Sequence, residues 1–198
     1  MGNLHQIRSR KYSDYAKELA GVLNDTILEQ LAEVTARIEK AYHSGNMVFV
    51  AGNGGSAATA SHMMADLQKT TVGKMVDLPK RIRAMSLTDN VALLTAWSND
   101  YGFDHVFAGQ LRALARPGDV LLAISASGNS PNIVAAIETA IEMGVDTIGL
   151  LGFTGGKSKS LCQTAIVVES MDYGIVEDAH SIFMHMMTAD LREIVQKG

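Results

Sequence analysis

Five short apolar runs constrain how this chain can fold. They are MVFVA (47–51), RIRAMSL (81–87), DVLLAIS (119–125), DTIGLLG (146–152) and TAIVVES (164–170), bounded by Gly, Asn, Ser or Asp. Nearly continuous apolar runs of this length predict strands covered on both faces, as in a parallel sheet. Helical patterns lie between them at 56–69, 90–114, 131–143 and 156–162, with a long final one over 174–196. In that last segment Ile175, Ala179, Ile182, Phe183, Met186, Leu191 and Ile194 mark the apolar positions. Strand–helix alternation requires right-handed crossovers and predicts a doubly wound α/β sandwich.

Residues 1–45 read differently. Leu19, Val22, Leu23, Ile27, Leu31, Val34, Ile38 and Tyr42 recur at steps of three and four, which is helical spacing. Asn24-Asp25 divides the pattern and Ser44-Gly45-Asn46 ends it. No repeat or linker interrupts the rest. The expected organisation is one domain over 1–198, with 1–45 as a helical extension.

Composition excludes some function classes. The net charge is -4, which does not favour nucleic acid or an acidic membrane surface. Lys80, Arg81 and Arg83 cluster beside Pro79 and read as a solvated loop. No apolar run reaches membrane-spanning length. The one cysteine, Cys162, allows no disulfide within the chain and points to a reducing cytoplasm; its apolar neighbours suggest a structural thiol.

In doubly wound sheets ligands gather beyond the carboxyl ends of the strands. Two unusual loops fall there. Gly52-Asn53-Gly54-Gly55-Ser56 frees backbone N–H groups from Cβ obstruction and leads into a helix N-terminus. It fits neither the Walker A pattern nor G-x-G-x-x-G, so no nucleotide is implied. Ser125-Ala126-Ser127-Gly128-Asn129-Ser130 follows another apolar strand. Ser130 before Pro131 suits an N-cap, which leaves Ser125 and Ser127 unexplained. Together the loops suit a phosphorylated ligand.

Four ionisable residues add chemistry. His62 and Asp66 share a helix face at i, i+4. Glu177 and His185 are eight residues apart on the last helix, about 80° around its axis, so both can face one site. Nitrogen and oxygen donors of this kind suit zinc or a similar divalent ion. His180 lies one turn after Glu177, and spacing alone equally allows a surface His-Asp pair and a core histidine at 185.

The motifs AGNGGSAATASHMMADL (51–67), SNDYGFDHVF (98–107), GDVLLAISASGNSPN (118–132) and EDAHSIFMHMM (177–187) together resemble the sugar isomerase (SIS) family, and within it the phosphoheptose isomerases. The resemblance runs from about residue 15 to the C-terminus, with the motifs in the same order. It implies a three-layer α-β-α sandwich on a five-stranded parallel, flavodoxin-like sheet. It further implies a homotetramer with active sites at subunit contacts, and isomerisation of sedoheptulose 7-phosphate to D-glycero-D-manno-heptose 7-phosphate.

Carried onto this chain, the resemblance places substrate contacts at Asn53, Gly54, Gly55, Ser56, Asp66, Asn99, Asp100, Ser125, Ala126, Ser127, Ser130 and Glu177. It places a divalent metal, zinc by its donors, on His62, Asp66, Glu177 and His185. Asp66 and His185 become the catalytic pair. A side chain cannot be a tightly held ligand and a free base at once, so the metal either shifts when substrate binds or is structural or inhibitory. Three departures stand out: Asp66 replaces a glutamate and is shorter by about 1.5 Å, Glu177 replaces a glutamine, and Ala126 replaces a threonine. These leave open another phosphosugar as substrate. A non-enzymatic relative that binds the replication initiator DnaA, or a phosphosugar sensor, are the alternative classes.

Overall fold

A computed structural model describes residues 2–74 and 77–197. Two helices come first, α1 (Gly2–Val22) and α2 (Asp25–Ser44). The corner between them is made by Asn24, whose side chain accepts the N–H of Ile27 as an N-cap. Gly45 closes α2 in the left-handed conformation, φ 73, donating back to Ala41 and Tyr42. Both boundaries fall where the sequence places them.

The five apolar runs form five strands: β1 (Met47–Gly52), β2 (Arg83–Ser86), β3 (Val120–Ser125), β4 (Asp146–Gly152) and β5 (Thr164–Val168). Every pairing is parallel and the order is β2-β1-β3-β4-β5, the flavodoxin-like arrangement. Alternation along each strand sends successive side chains to opposite faces. Val48, Val50, Leu122 and Ile124 join a core with α2, α3 (Gly55–Ala65) and α8 (Tyr173–Lys197). Phe49, Ala51, Leu121 and Ala123 join a second core with α5 (Ala108–Leu114) and α6 (Pro131–Glu142). The chain is therefore a three-layer sandwich. α2 covers the sheet of its own chain through Ile27, Leu31, Val34 and Ile38, whereas Arg8–Ser13 of α1 are exposed.

Two helical predictions need correction. The segment 90–114 is not one helix. α4 (Val91–Tyr101) stops at Gly102, φ 89, a 3-10 turn follows at Phe103–His105, and α5 begins at Ala108. The segment 56–69 is α-helical only to Ala65; Asp66–Thr70 continues as a π turn, with the Thr71 N–H donating to the Asp66 carbonyl. The short helix after β4 is α7 (Gly156–Leu161).

The basic cluster has local duties. Lys80 donates to the His43 carbonyl and Arg83 to that of Gly45, so both satisfy the carboxyl end of α2. Cys162 is half-buried and burial pushes its thiol up to about 12, which removes it as a nucleophile near neutral pH. No helix among the described residues is long and apolar enough to cross a membrane.

Candidate active site

β1 and β3 are neighbours, but their following helices pack on opposite faces of the sheet: α3 in one core and α6 in the other. That divergence opens a cleft at their carboxyl ends. Both unusual loops line it. A cavity of about 140 Å³ is bordered by Asn53 and Ser56 on one side, Ser125, Ala126, Ser127 and Ser130 on the other, and Tyr173 and Glu177 from α8.

The serine loop is shaped by its own hydroxyls. Ser125 Oγ accepts the Gly128 N–H at 3.1 Å, and Ser127 Oγ accepts the Asn129 N–H at 3.2 Å. Each hydroxyl thereby keeps its own O–H to donate elsewhere. Ser130 occupies the N-cap position with Pro131 at the first turn, as expected, but its side chain makes no capping bond. Ser130 instead borders the cavity. The loop is held from behind: Ser158 N–H donates to the Gly128 carbonyl and Lys157 N–H to Asn129 Oδ1. A Cβ at Gly128, φ 62, would strike the Gly155 carbonyl.

The glycine loop is equally constrained. A Cβ at Gly52 would run into the backbone of Ser56, and one at Gly55 into the Glu177 carboxylate. Gly55 is thus one point where α3 and α8 touch. Gly54 takes φ 54 and ψ -121, and the first N–H groups of α3 have no intrahelical acceptor. Asn53 and Asn132 exchange two amide hydrogen bonds of 2.8 Å, tying the glycine loop to α6. Asn132 is buried, and no sequence pattern singled it out. Its position after Ser130-Pro131 was the available signal.

Further along the same two helices the ionisable residues meet. His62, Asp66 and His185 each offer a donor atom, and these lie within 4.8 Å of one another. His62 Nε2 is 3.8 Å from Asp66 Oδ2, and the two imidazoles meet edge to face with centroids 5.1 Å apart. Asp66 is buried, whereas both histidines are exposed. Its other oxygen, Oδ1, accepts from the Thr70 hydroxyl at 2.7 Å. The π turn places that hydroxyl, and α8 steadies it, since Arg192 Nε donates to the Thr70 carbonyl. π turns are rare and recur at functional sites. Two imidazoles and a carboxylate at these separations are donors that a divalent cation such as zinc accepts.

Glu177 is not in that group. It borders the loop cavity, eight residues before His185 on α8. Gly55 and His62 lie about 10 Å apart along the axis of α3, and Glu177 and His185 about 12 Å apart along that of α8. The two helices therefore run side by side in the same direction, spanning the same two stations. His180 faces elsewhere. It is buried, its Nε2–H donates to the Leu151 carbonyl at 3.1 Å, and its Nδ1 has no partner among the described residues. Desolvation lowers its pKa to about 4, with the backbone bond opposing, so it is neutral at pH 7. Asn99 and Asp100 lie at the end of α4, hydrogen-bonded to each other at 2.8 Å and exposed, away from the cavity lining.

This combination of a parallel 2-1-3-4-5 sheet, a serine loop and a helical His-Asp-His group defines a class. The SIS domain family matches residues 11–152, and the chain belongs to that family. Within it, the chain is similar to phosphoheptose isomerases. It is 44% identical to the phosphoheptose isomerase of Pelobacter propionicus over 157 residues, covering 79% of this chain and 81% of that protein. It is 37% identical to a probable phosphoheptose isomerase of Thermoplasma acidophilum over 179 residues, 90% and 96% of the two chains. The solved phosphoheptose isomerase of Neisseria gonorrhoeae superposes with a TM-score of 0.85 at 29% identity, covering 95% of this chain and 98% of that one.

Proposed function

We propose that the protein is a cytoplasmic aldose-ketose isomerase that converts sedoheptulose 7-phosphate to D-glycero-D-manno-heptose 7-phosphate. The observation that carries this is the pair of stations on α3 and α8: a hydroxyl-lined cavity at one end and the His62, Asp66 and His185 group at the other. An extended sugar phosphate spans such a distance, with its phosphate in the serine loop and C1 and C2 at the triad.

The reaction moves one proton between carbons and one between oxygens. Asp66 takes a proton from C1 of the ketose, leaving a cis-enediolate, and returns it to C2. His185 moves the proton between O1 and O2. Oδ1 is occupied by Thr70, so Oδ2 is the oxygen available for this work. Ser125, Ser127 and Ser130 donate to the phosphate, together with the N–H groups of Gly55 and Ser56, while Asn53 holds the loop to α6. His62, Asp66 and His185 would hold a divalent metal in the substrate-free site; because a ligated side chain cannot also move a proton, Asp66 and His185 would have to be released from it when substrate binds, while Glu177 reaches the substrate from the cavity side. Such an ion polarises a carbonyl and stabilises charge on the substrate oxygens.

The same reading extends to assembly. α4 carries the sequence VALLTAWSNDY yet buries no residue, with Val91 70% and Tyr101 66% exposed. It adjoins a groove of about 820 Å³ lined by Met85, Val91 and Leu114 at the open edge of the sheet. Packing of this face and of the 1–45 segment in a homotetramer covers these side chains. It brings Asn99 and Asp100 to a neighbouring subunit's site. No nucleic acid or membrane is part of this function.

The test is an NMR screen of C5 to C7 ketose phosphates for aldose formation, with mass measured in solution by light scattering. Turnover of the heptose phosphate by a tetramer is expected. Turnover confined to a pentose or hexose phosphate would reassign the substrate. No turnover, with tight binding of DnaA, would overturn the enzymatic reading.

A further inference from the structure

Tyr173 is the first residue of α8 and borders the loop cavity beside Ser127, Ser130 and Glu177. It precedes Glu177 by four residues, so both side chains project from one helix face. Nothing in the reaction described above uses it, and no sequence motif marks it. The ring is nonetheless held in place. Phe153 meets it edge to face, with centroids 4.9 Å apart and planes at 78°. Phe153 directly follows β4 with φ 54, and among the described residues it is the one non-glycine position in the left-handed region. A bulky aromatic residue is disfavoured there, and such a conformation persists only where its surroundings impose it. Tyr173 keeps 59% of its surface exposed, and its hydroxyl has no hydrogen-bond partner among the described residues.

The cavity has a further peculiarity. Among the described residues no lysine or arginine borders it, while the Glu177 carboxylate does. A phosphate held there relies on neutral donors, so each one counts. A tyrosine ring offers a rigid apolar wall to the C–H face of a sugar at little entropic cost, and its phenol adds a donor.

We propose that Tyr173 is a substrate-contacting residue, its ring propped by Phe153 so that it walls the phosphate-bearing end of the sugar and its Oη–H donates to an oxygen there. This rests on the phosphosugar reading above. Phe153 acts through Tyr173 and is a positioning residue.

The experiment is steady-state kinetics on pentose, hexose and heptose ketose phosphates with wild type, Tyr173→Phe, Tyr173→Ala, Phe153→Ala and the double alanine variant. Tyr173→Ala should raise KM about ten-fold while kcat stays within about two-fold, since ground-state and transition-state binding fall together. The factor should be the same for all chain lengths, because the contact is to the shared phosphate end. Tyr173→Phe, which keeps the fold intact, should raise KM about three-fold through loss of one hydrogen bond. Phe153→Ala should weaken binding in the wild-type background and add nothing in the Tyr173→Ala background. An unchanged KM in Tyr173→Ala overturns the contact. Additive losses overturn the prop. If wild type turns over no sugar phosphate, the isomerase reading falls, and calorimetric titration with sedoheptulose 7-phosphate decides the tyrosine separately. A ten-fold weaker Kd in Tyr173→Ala supports it there and an equal Kd overturns it. If wild type neither turns over nor binds these sugars, both fall.

Discussion

α8 carries two histidines five residues apart in opposite surroundings. His180 is turned into the core, neutral and bonded to the Leu151 carbonyl. His185 is exposed and meets His62 and Asp66. Five residues is about 500° of helical rotation, so the two rings leave the axis about 140° apart. One helix thus supplies a core residue and, on the proposed reaction, a reacting one, and the difference lies only in which neighbour each face meets. The separation predicts that removing one histidine abolishes catalysis without loosening the fold, and that changing the other alters stability without touching the chemistry.

The largest effect should come from the exposed side. On the proposed reaction, Asp66→Asn and His185→Ala should each lower kcat by about 10³-fold, roughly 4 kcal/mol of barrier. Their thermal midpoints should stay close to wild type. Asparagine keeps an oxygen to accept from Thr70, so the π turn has no reason to change. Full activity in both variants would break the assignment of the reacting pair.

The buried side should show itself in acid. The folded-state pKa of His180 lies below that of the unfolded chain, so the unfolded state binds the proton more readily as pH falls. Its contribution to stability is therefore complete above about pH 6.5 and is lost progressively as pH drops toward 4. From a shift between 6.5 and about 4, the loss is about 3 kcal/mol. Denaturant titrations at pH 7 and pH 4 would measure it. His180→Gln keeps an N–H donor for Leu151 and removes the titration, so its stability should fall less over the same interval. An equal fall in both proteins would place the acid sensitivity elsewhere.

These two histidines also mark where the sequence stops being legible. The strands could be read because β1, β3 and β4 are covered on both faces and so are apolar throughout. Even β2, an edge strand with alternating exposure, kept enough of that character. The glycine and serine loops could be read because backbone freedom and hydroxyls at strand ends have few other uses. Spacing, however, treats His180 and His185 alike, since both fall on a long apolar helix. Only the packing of α8 against β4 on one side and α3 on the other distinguishes them. The π turn at Asp66–Thr70 leaves no mark in residue type, because it depends on α8 holding the Thr70 and Thr71 carbonyls through Arg192 and Gln196. The break at Gly102 was visible as a glycine between aromatics, but apolar periodicity across 90–114 concealed it. Phe153 comes from the turn after β4 and Tyr173 from the start of α8, and their meeting is purely tertiary.

A further variant tests the junction between the two stations. Gly55→Ala places a methyl group where the Glu177 carboxylate now lies. The carboxylate is the end of a flexible side chain and can swing aside, so the fold should survive within about 1 kcal/mol. Swinging aside moves it out of the cavity. The expected result is a rise in KM of at least about ten-fold, the effect of one lost charged hydrogen bond. An unchanged KM would mean that Glu177 does not reach the substrate.

The smallest effect concerns Thr70, and it bears on how a shorter acid does its work. Asp66 lacks the methylene that a glutamate would use to reach outward, and its Oδ1 is tied to the Thr70 hydroxyl at 2.7 Å. That bond turns Oδ2 toward His62. In Thr70→Val the carboxylate can rotate, and the cost is that of one hydrogen bond, about 1 kcal/mol. Zinc affinity, measured by competition with a chromogenic chelator, should fall about five-fold. Thr70→Ser should restore it, because the hydroxyl alone is needed. Arg192 holds the Thr70 backbone whichever side chain is present, so a change of affinity in the valine variant reports the orientation of the carboxylate and not the collapse of the turn.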